Sequence, residues 1–424
     1  VKRNIVQVVG ATAALALALT GCGGSSGSGS GDKLTVWMMP SSLTKEMSDE
    51  LNAEFEKQTG AKVDYQIQQW AGIQEKLNAA LVSKTPPDVV ELGNTQNAAF
   101  SSQGVLKDVT ADVASLNGPQ WNSALKDTGA FEGKQYGVPF YAGSRVLVYN
   151  KEMFQKAGIT NPPTSRQALL EDMAKLRNAN ASDTNFQALY LPGQNWYLLS
   201  SLIWDEGGDL ATGSGKTIKS TLDSPQAKAG LEAYKQLQAA SGTKGSLDTD
   251  EAHPQQSDIF GLGHTAMMYA SANDLQPLYK AHPELKDGNK LSAFPLPSKN
   301  AGKISPAFLG GSNLALPAKS AKSDLAKKYI SLLNSEKYQI KLGNAEWVPG
   351  SLQDTTKLTV GDFAQAVQLT SATGKSAPSS PKWAQIEAGQ NPLKDMLTAY
   401  LTGKKSLNDA TSEANTALQK ALQG

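Results

Sequence analysis

Lys33-Leu34-Thr35-Val36-Trp37-Met38-Met39, then Leu43, Met47, Leu51 and Phe55 at four-residue steps, then Lys62-Val63-Asp64-Tyr65-Gln66-Ile67-Gln68, is the stretch that decides the fold. A short apolar run gives way to a spacing that keeps one helix face apolar, and this in turn to a run in which Val63, Tyr65 and Ile67 alternate. Strand, helix, strand in that order is α/β architecture. Gly60 ends the first helix, Ile73, Leu77 and Leu81 mark a second, and Pro86-Pro87 stop it. Asp88 to Leu92 is the nearly continuous apolar run expected of a strand buried on both faces, with Gly93-Asn94 as the loop at its carboxyl end.

The same alternation continues downstream. Thr164 with Gln167 predicts a capping box, and Ser224-Pro225 a capped start with proline in the first helical position. Ser323 and Ser406, the latter with Asp409, mark two further starts. At about 100–200 residues per domain, 424 residues predict two or three domains. The balance of 40 Lys and Arg against 39 Asp and Glu, without a like-charge block, excludes the electrostatic footprint of a nucleic-acid binder. With 40% hydrophobic and 19% charged residues, the body is globular rather than disordered.

Upstream, Lys2 and Arg3 precede Ile5 to Leu19, an apolar stretch shorter than the ~20 residues of a spanning helix. It reads as an export signal over 1–21. Leu19-Thr20-Gly21-Cys22 resembles the bacterial lipobox, in which the cysteine receives a diacylglyceryl group before cleavage, and Cys22 is the single cysteine of the chain. Residues 22–32 then form a lipidated cysteine and a flexible Gly/Ser tether. The expected location is the outer face of the bacterial cytoplasmic membrane.

Motifs that suggest catalysis fail on spacing. Gly213-Ser214-Gly215-Lys216-Thr217 has Leu210 where a phosphate loop needs glycine. Gly23, Ser25 and Gly27 match a hydrolase elbow only within the tether. Ser42 with Lys45 fits S-x-x-K and Ser271-Ala272-Asn273 loosely fits a second acyl-enzyme motif, but the third, K-[ST]-G, is absent; a secreted serine acyl-enzyme of the penicillin-binding type stays as the alternative. His253, His264 and His282 have no partner at metal-ligand spacing, so neither metal nor cofactor is expected. Asp205-Glu206 and Asp209 beside Gly207-Gly208 read as a solvated turn.

The aromatics point to binding instead. Trp37 and Trp70 fall at or just after predicted strand ends, and Trp196, Trp347 and Trp383 in polar or proline-bearing segments, whereas Trp121 is placed on a helical surface. Ligands of open α/β sheets bind beyond the carboxyl ends of strands, where tryptophan offers a flat apolar face and an N–H. Beyond Arg3 only Arg145, Arg166 and Arg177 remain, the last two expected on an exposed helix side, so a neutral ligand such as a sugar is favoured over phosphate or dicarboxylate.

Five segments in order carry a resemblance: Leu34-Thr35-Val36-Trp37; Pro87-Asp88-Val89-Val90; Tyr136-Gly137-Val138-Pro139 with Val148-Tyr149-Asn150-Lys151; Phe260-x-x-Gly263-x-x-Ala266-Met267; and Gly310-Gly311-Ser312-Asn313-Leu314-Ala315. Together, behind a lipobox, they are similar to the extracellular solute-binding proteins of ABC transporters, in the carbohydrate group that includes maltose-binding protein. The resemblance implies a two-lobed periplasmic-binding-protein-like fold with crossing hinge strands. Its lobes would be residues 33–142 with 297–345, and 143–296 with 346–424. It implies a monomeric, non-catalytic receptor for an oligosaccharide that serves an ABC permease. Binding positions carried over are Trp37, Met38, Trp70, Asn94 and Tyr141 on one side, and Asn195, Trp196, Tyr197, Asn273, Trp347 and Trp383 on the other.

Overall fold

In the computed structural model the described residues are 33–213, 217–242, 247–287, 289–352 and 354–424. The export signal, Cys22, the tether with its Gly23-Ser25-Gly27 match, and Ser214 to Lys216 of the glycine-rich run lie outside them.

The opening stretch folds as its pattern dictates. Strand β1 (Lys33–Met38) is followed by a helix over Lys45–Thr59, strand β2 (Lys62–Ile67), a helix over Ile73–Val82 and strand β3 (Val89–Gly93). Thr44 caps the first helix by accepting from the Met47 N–H, and Gly60 ends it at φ 76°, a left-handed conformation that glycine adopts without a Cβ clash. Strand β1 pairs in parallel with both β2 and β3, Val36 lying beside Tyr65 and Val89. This central position buries Leu34, Val36 and Met38 completely.

Strands β4 (Ala130–Phe131) and β5 (Lys134–Gln135) form a small hairpin, after which come β6 (Gly137–Ser144) and β7 (Val146–Asn150), with Arg145 alone between them. Another hairpin joins β8 (Ala211–Thr212) to β9 (Lys219–Ser220), and β10 (Met267–Ala270), β11 (Leu291–Phe294), β12 (Leu309–Ala315) and β13 (Val348–Pro349) complete the set. The larger sheet runs β13-β6-β12-β3-β1-β2, with β12 antiparallel to β3 and β6. The second runs β10-β7-β11, antiparallel throughout. One core gathers Leu51, Phe55, Tyr329 and Ile330 under the larger sheet; another gathers Leu169, Leu199, Tyr234 and Leu418 under the smaller.

Several expectations need correction. Residues 297–308, assigned to the first lobe, pack on the second: Phe308 joins the cluster of Trp196 and Leu199, and Ser298 Oγ donates to Asp205 at 2.5 Å. Strand β13, assigned to the second lobe, is an edge strand of the first sheet, because Val348 and Pro349 pair with Ala142 and Tyr141. The cap of the helix Arg166–Ala179 is Ser165, which accepts from Ala168 N–H at 3.1 Å, while the Thr164 carbonyl accepts from Gly302. Lys322, not Ser323, precedes the helix Ser323–Leu333, whereas Ser224 and Ser406 cap as read. Arg166 is buried, donating to Asp205 at 2.6 Å and Glu206 at 2.7 Å. The acidic pair is therefore an ion-pair anchor between two helix ends rather than a solvated turn. Trp121 is buried as well, with its indole N–H on the Leu116 carbonyl.

Strands β6 and β12 approach so closely that a Cβ on Gly311 would stand 2.1 Å from the Tyr141 carbonyl oxygen and 2.6 Å from Ala142 Cα. The obstruction is backbone and cannot swing aside. Gly311→Ala should therefore cost about 1–3 kcal/mol, the range of overpacked cores, measured as a lower urea midpoint at unchanged slope.

Candidate functional site

The carboxyl ends of β1, β2 and β3 open onto one side of the first sheet, where Pro40, Ser41, Trp70 and Asn94-Thr95-Gln96 form a wall. Tyr141, Gly143, Gly310, Gly311 and Ser312, from the crossing strands β6 and β12, form the floor. The opposite wall comes from the second lobe: Arg145, Tyr197, Asn273, Phe308 and Glu387. The cleft between them holds about 590 Å³, within the ~300–1,000 Å³ of small-molecule sites. Glycine on the floor keeps it low: a Cβ on Gly143 would come within 3.2 Å of the Trp347 ring.

Six of the positions named from sequence line this cleft: Trp70, Asn94, Tyr141, Tyr197, Asn273 and Trp347. Trp70 is 45% exposed at the rim, while Tyr141 and Trp347 pack ring on ring at 4.6 Å on the floor. Asn94 ties its loop to β12, its backbone N–H donating to Gly311 O at 2.8 Å and its side chain to Leu309 O at 3.0 Å. Ser271, with Asp274, caps the helix Ala272–Ala281, so the Asn273 amide is left exposed at the cleft.

Five expected positions stand elsewhere. Alternation along β1 sends Met38 into the core and Trp37 to a separate hollow with Lys84 and Lys319, its indole donating to Gln66 at 2.9 Å. Asn195 sits behind the wall, capping the helix Trp196–Asp205 and donating to Glu251 at 3.1 Å. Trp196 and Trp383 are 2% and 0% exposed and belong to the second core. They back the wall instead of forming it: Trp196 meets Phe308 edge-on at 5.0 Å and Tyr197 at 4.2 Å. On the short helix Trp383–Ala388 the inward face carries Trp383 and Ile386, leaving Ala384, Glu387 and Ala388 toward the cleft. Glu387 and Phe308 were missed from sequence. Helical spacing sets Glu387, four residues after the inward Trp383, near the same face, so it gives no signal that Glu387 reaches the cleft, and no local signal marks Phe308 either.

Charge in the site is arranged by burial. Arg145 donates to Glu251 at 2.5 Å and lays its guanidinium 3.8 Å from the centre of the Tyr197 ring. Burial pulls its proton affinity down, but Glu251 and neighbouring acidic groups more than offset this and leave it raised. Burial pushes the Glu251 and Glu387 carboxyls up, Arg145 and the Tyr197 hydroxyl respectively opposing. Beneath the floor Glu91 is fully buried, and among the described residues no ion pair reaches it. It accepts from Met39 N–H and Ser42 Oγ, both at 2.8 Å, and from Tyr141 OH at 3.1 Å. That accounts for Ser42. Lys45 lies 82% exposed on Asp49 at 2.6 Å, so the two halves of the S-x-x-K match face different partners.

Two α/β lobes joined by crossing strands around an aromatic-walled cleft define a ligand-binding protein. The chain belongs to the bacterial extracellular solute-binding protein family, whose model matches residues 40–340. It is 38% identical to the diacetylchitobiose-binding protein DasA of Streptomyces coelicolor over 92% of this chain and 90% of that one. It is 24% identical to a maltooligosaccharide ABC transporter solute-binding lipoprotein of Streptococcus pneumoniae, covering 89% and 86%. In structure it superposes on the sugar-binding protein MalE of Xanthomonas citri with a TM-score of 0.80 at 22% identity, over 92% of this chain and 97% of the other.

Burial raises the Glu91 carboxyl above its ordinary 4.5, so the folded state holds that proton more tightly than the unfolded chain does. Its contribution to stability is full below the unfolded value and is lost as pH climbs through the raised one. Glu91→Gln keeps the shape and removes the ionisation; its amide can donate to the Ser42 and Tyr141 oxygens. Denaturation across about pH 5 to 8 should show a smaller decline of stability in the variant than in the wild type. Equal slopes would mean that Glu91 does not titrate there.

Proposed function

We propose that this protein is an extracytoplasmic receptor that binds a short oligosaccharide between its lobes and hands it to an ABC permease, performing no chemistry on it. The observation that carries the reading is the cleft itself, where Trp70 and the Tyr141–Trp347 pair supply apolar ring surface, with the Tyr197 ring held between Arg145 and Trp196 in the facing wall, among amide and hydroxyl groups. A pyranose needs both, C–H groups against a ring and hydroxyls met by polar side chains. The likeness to a diacetylchitobiose-binding protein makes that N-acetylated disaccharide the first ligand to try. Ligand contacts to both walls favour the closed arrangement, which the permease then recognises. Cys22 supplies the lipid anchor, the Gly/Ser run the tether, and the receptor works as a monomer.

A thermal-shift screen of mono- and oligosaccharides tests the reading, since a ligand at 100 times its Kd stabilises the folded state by about 2.7 kcal/mol. Silence across the panel would overturn it. Given a ligand, calorimetry should find Tyr197→Ala and Trp70→Ala weakened roughly thirtyfold, or about 2 kcal/mol each. Trp383→Ala should instead lose about 3–5 kcal/mol of folding stability, as a buried aromatic does.

For the anchor, cells fed a labelled fatty acid should label the wild-type protein and not the Cys22→Ser variant. An unlabelled wild type sinks the lipoprotein assignment.

A further inference from the structure

Three carboxyls border the cleft, Glu91 buried and Glu251 and Glu387 partly exposed, and their hydrogen bonds set one apart. Glu91 lies below the floor with both oxygens engaged by Met39, Ser42 and Tyr141. Glu251 is paired with Arg145 and takes a second donor from Asn195. Glu387 faces the cleft, and its Oε1 accepts from the Tyr197 hydroxyl at 3.2 Å. The nearest cations are committed, Arg145 to Glu251 at 2.5 Å and Lys394 to Asp250 at 3.2 Å, and among the described residues no ion pair reaches Glu387. An ionised carboxylate offers about four lone-pair sites. Tyr197 takes one of these and Thr95, from the opposite wall, a second, so about half of the capacity is left for a ligand in the cleft. Ala384 and Ala388, on the same helix face, keep the surface around it low enough for a ring to approach.

We propose that Glu387 is the specificity-determining residue of the cleft, accepting hydrogen bonds from a pair of donors on one sugar ring, hydroxyls or an ammonium, and repelling acidic sugars. The inference rests on the oligosaccharide reading above and adds the charge that the ligand is allowed to carry. The Tyr197 hydroxyl and Thr95 direct the carboxylate; Arg145, Glu251 and Lys394 are the charged groups around it, and Arg145, over the Tyr197 ring, and Lys394 both favour its ionised form without pairing to it. Acceptance needs the ionised form. Since burial holds the proton on more tightly than usual, ligand affinity falls as pH drops toward that raised value.

The test is titration calorimetry of the full chain with diacetylchitobiose across about pH 5 to 8, and with its fully deacetylated counterpart at one pH near the acid side of neutrality, where its amines are mostly ammonium. Wild type should bind the cation at least as well as the neutral sugar and weaken toward acid. Glu387→Gln, whose amide oxygen can still accept from Tyr197, should bind the neutral sugar about tenfold more weakly, lower the cation-to-neutral affinity ratio by about tenfold again, and lose the acid-side decline. Glu387→Asp, which keeps the charge one methylene farther back, should restore most of the ratio. A ratio and pH profile unchanged in Glu387→Gln overturn this inference while leaving the receptor standing. A wild type that binds neither these sugars nor any in the wider screen overturns the receptor reading, and this inference with it.

Discussion

The ladder between β6 and β12 runs from Gly137 opposite Ala315 to Ser144 opposite Leu309, and the two sheets hang from its ends. At one end β12 continues the pairing into β3 and so fixes the loops of the first wall; at the other, β6 passes through Arg145 into β7. The register slips between Ser312 and Asn313, and just there Tyr141 and Ser312 meet on the floor of the cleft. An irregularity of this kind re-aims side chains without ending the strand. The floor is thus an outcome of backbone pairing, and the close approach at Gly311 is the condition for it.

Against that ladder the buried charges are costly. Removing an arginine and a glutamate from water is only partly repaid by their attraction, and a buried pair is often no more stabilising than apolar side chains of the same size. Arg145 and Glu251 are better understood through what they hold: the guanidinium lies under the Tyr197 ring, and Glu251 fixes Asn195 at the start of the helix that carries that tyrosine. Glu91 does a similar service for the floor, its carboxyl oxygens tying Ser42 and Tyr141 together beneath the cleft.

How much of this was legible in the sequence depended on the range of the physics involved. The strands and helices between Lys33 and Gly93 follow from local periodicity, and all of them stand within a residue or two of where the pattern puts them. The family resemblance located the walls, so Asn94, Tyr141, Tyr197 and Trp347 were found. What it could not give was which side of a helix or strand faces the ligand. Trp383 and Glu387 share a helix of six residues, too short to show a period, and only the packing of Trp383 on the second core decides that Glu387 is the one turned outward. Phe308 was hidden for a different reason: it precedes a strand of the first sheet yet packs into the second core, a long-range choice that no neighbouring residue announces.

Arg145 is the single residue between β6 and β7, and it also lines the cleft. A turn of one sheet against the other along this strand would be taken up in the peptide groups on either side of it, so a joint between the sheets is also part of the cleft wall. In most jointed tools the grip and the pivot are separate parts and each can be adjusted alone. Here joint and wall meet in one residue, so a substitution that retuned the joint would reshape the cleft as well.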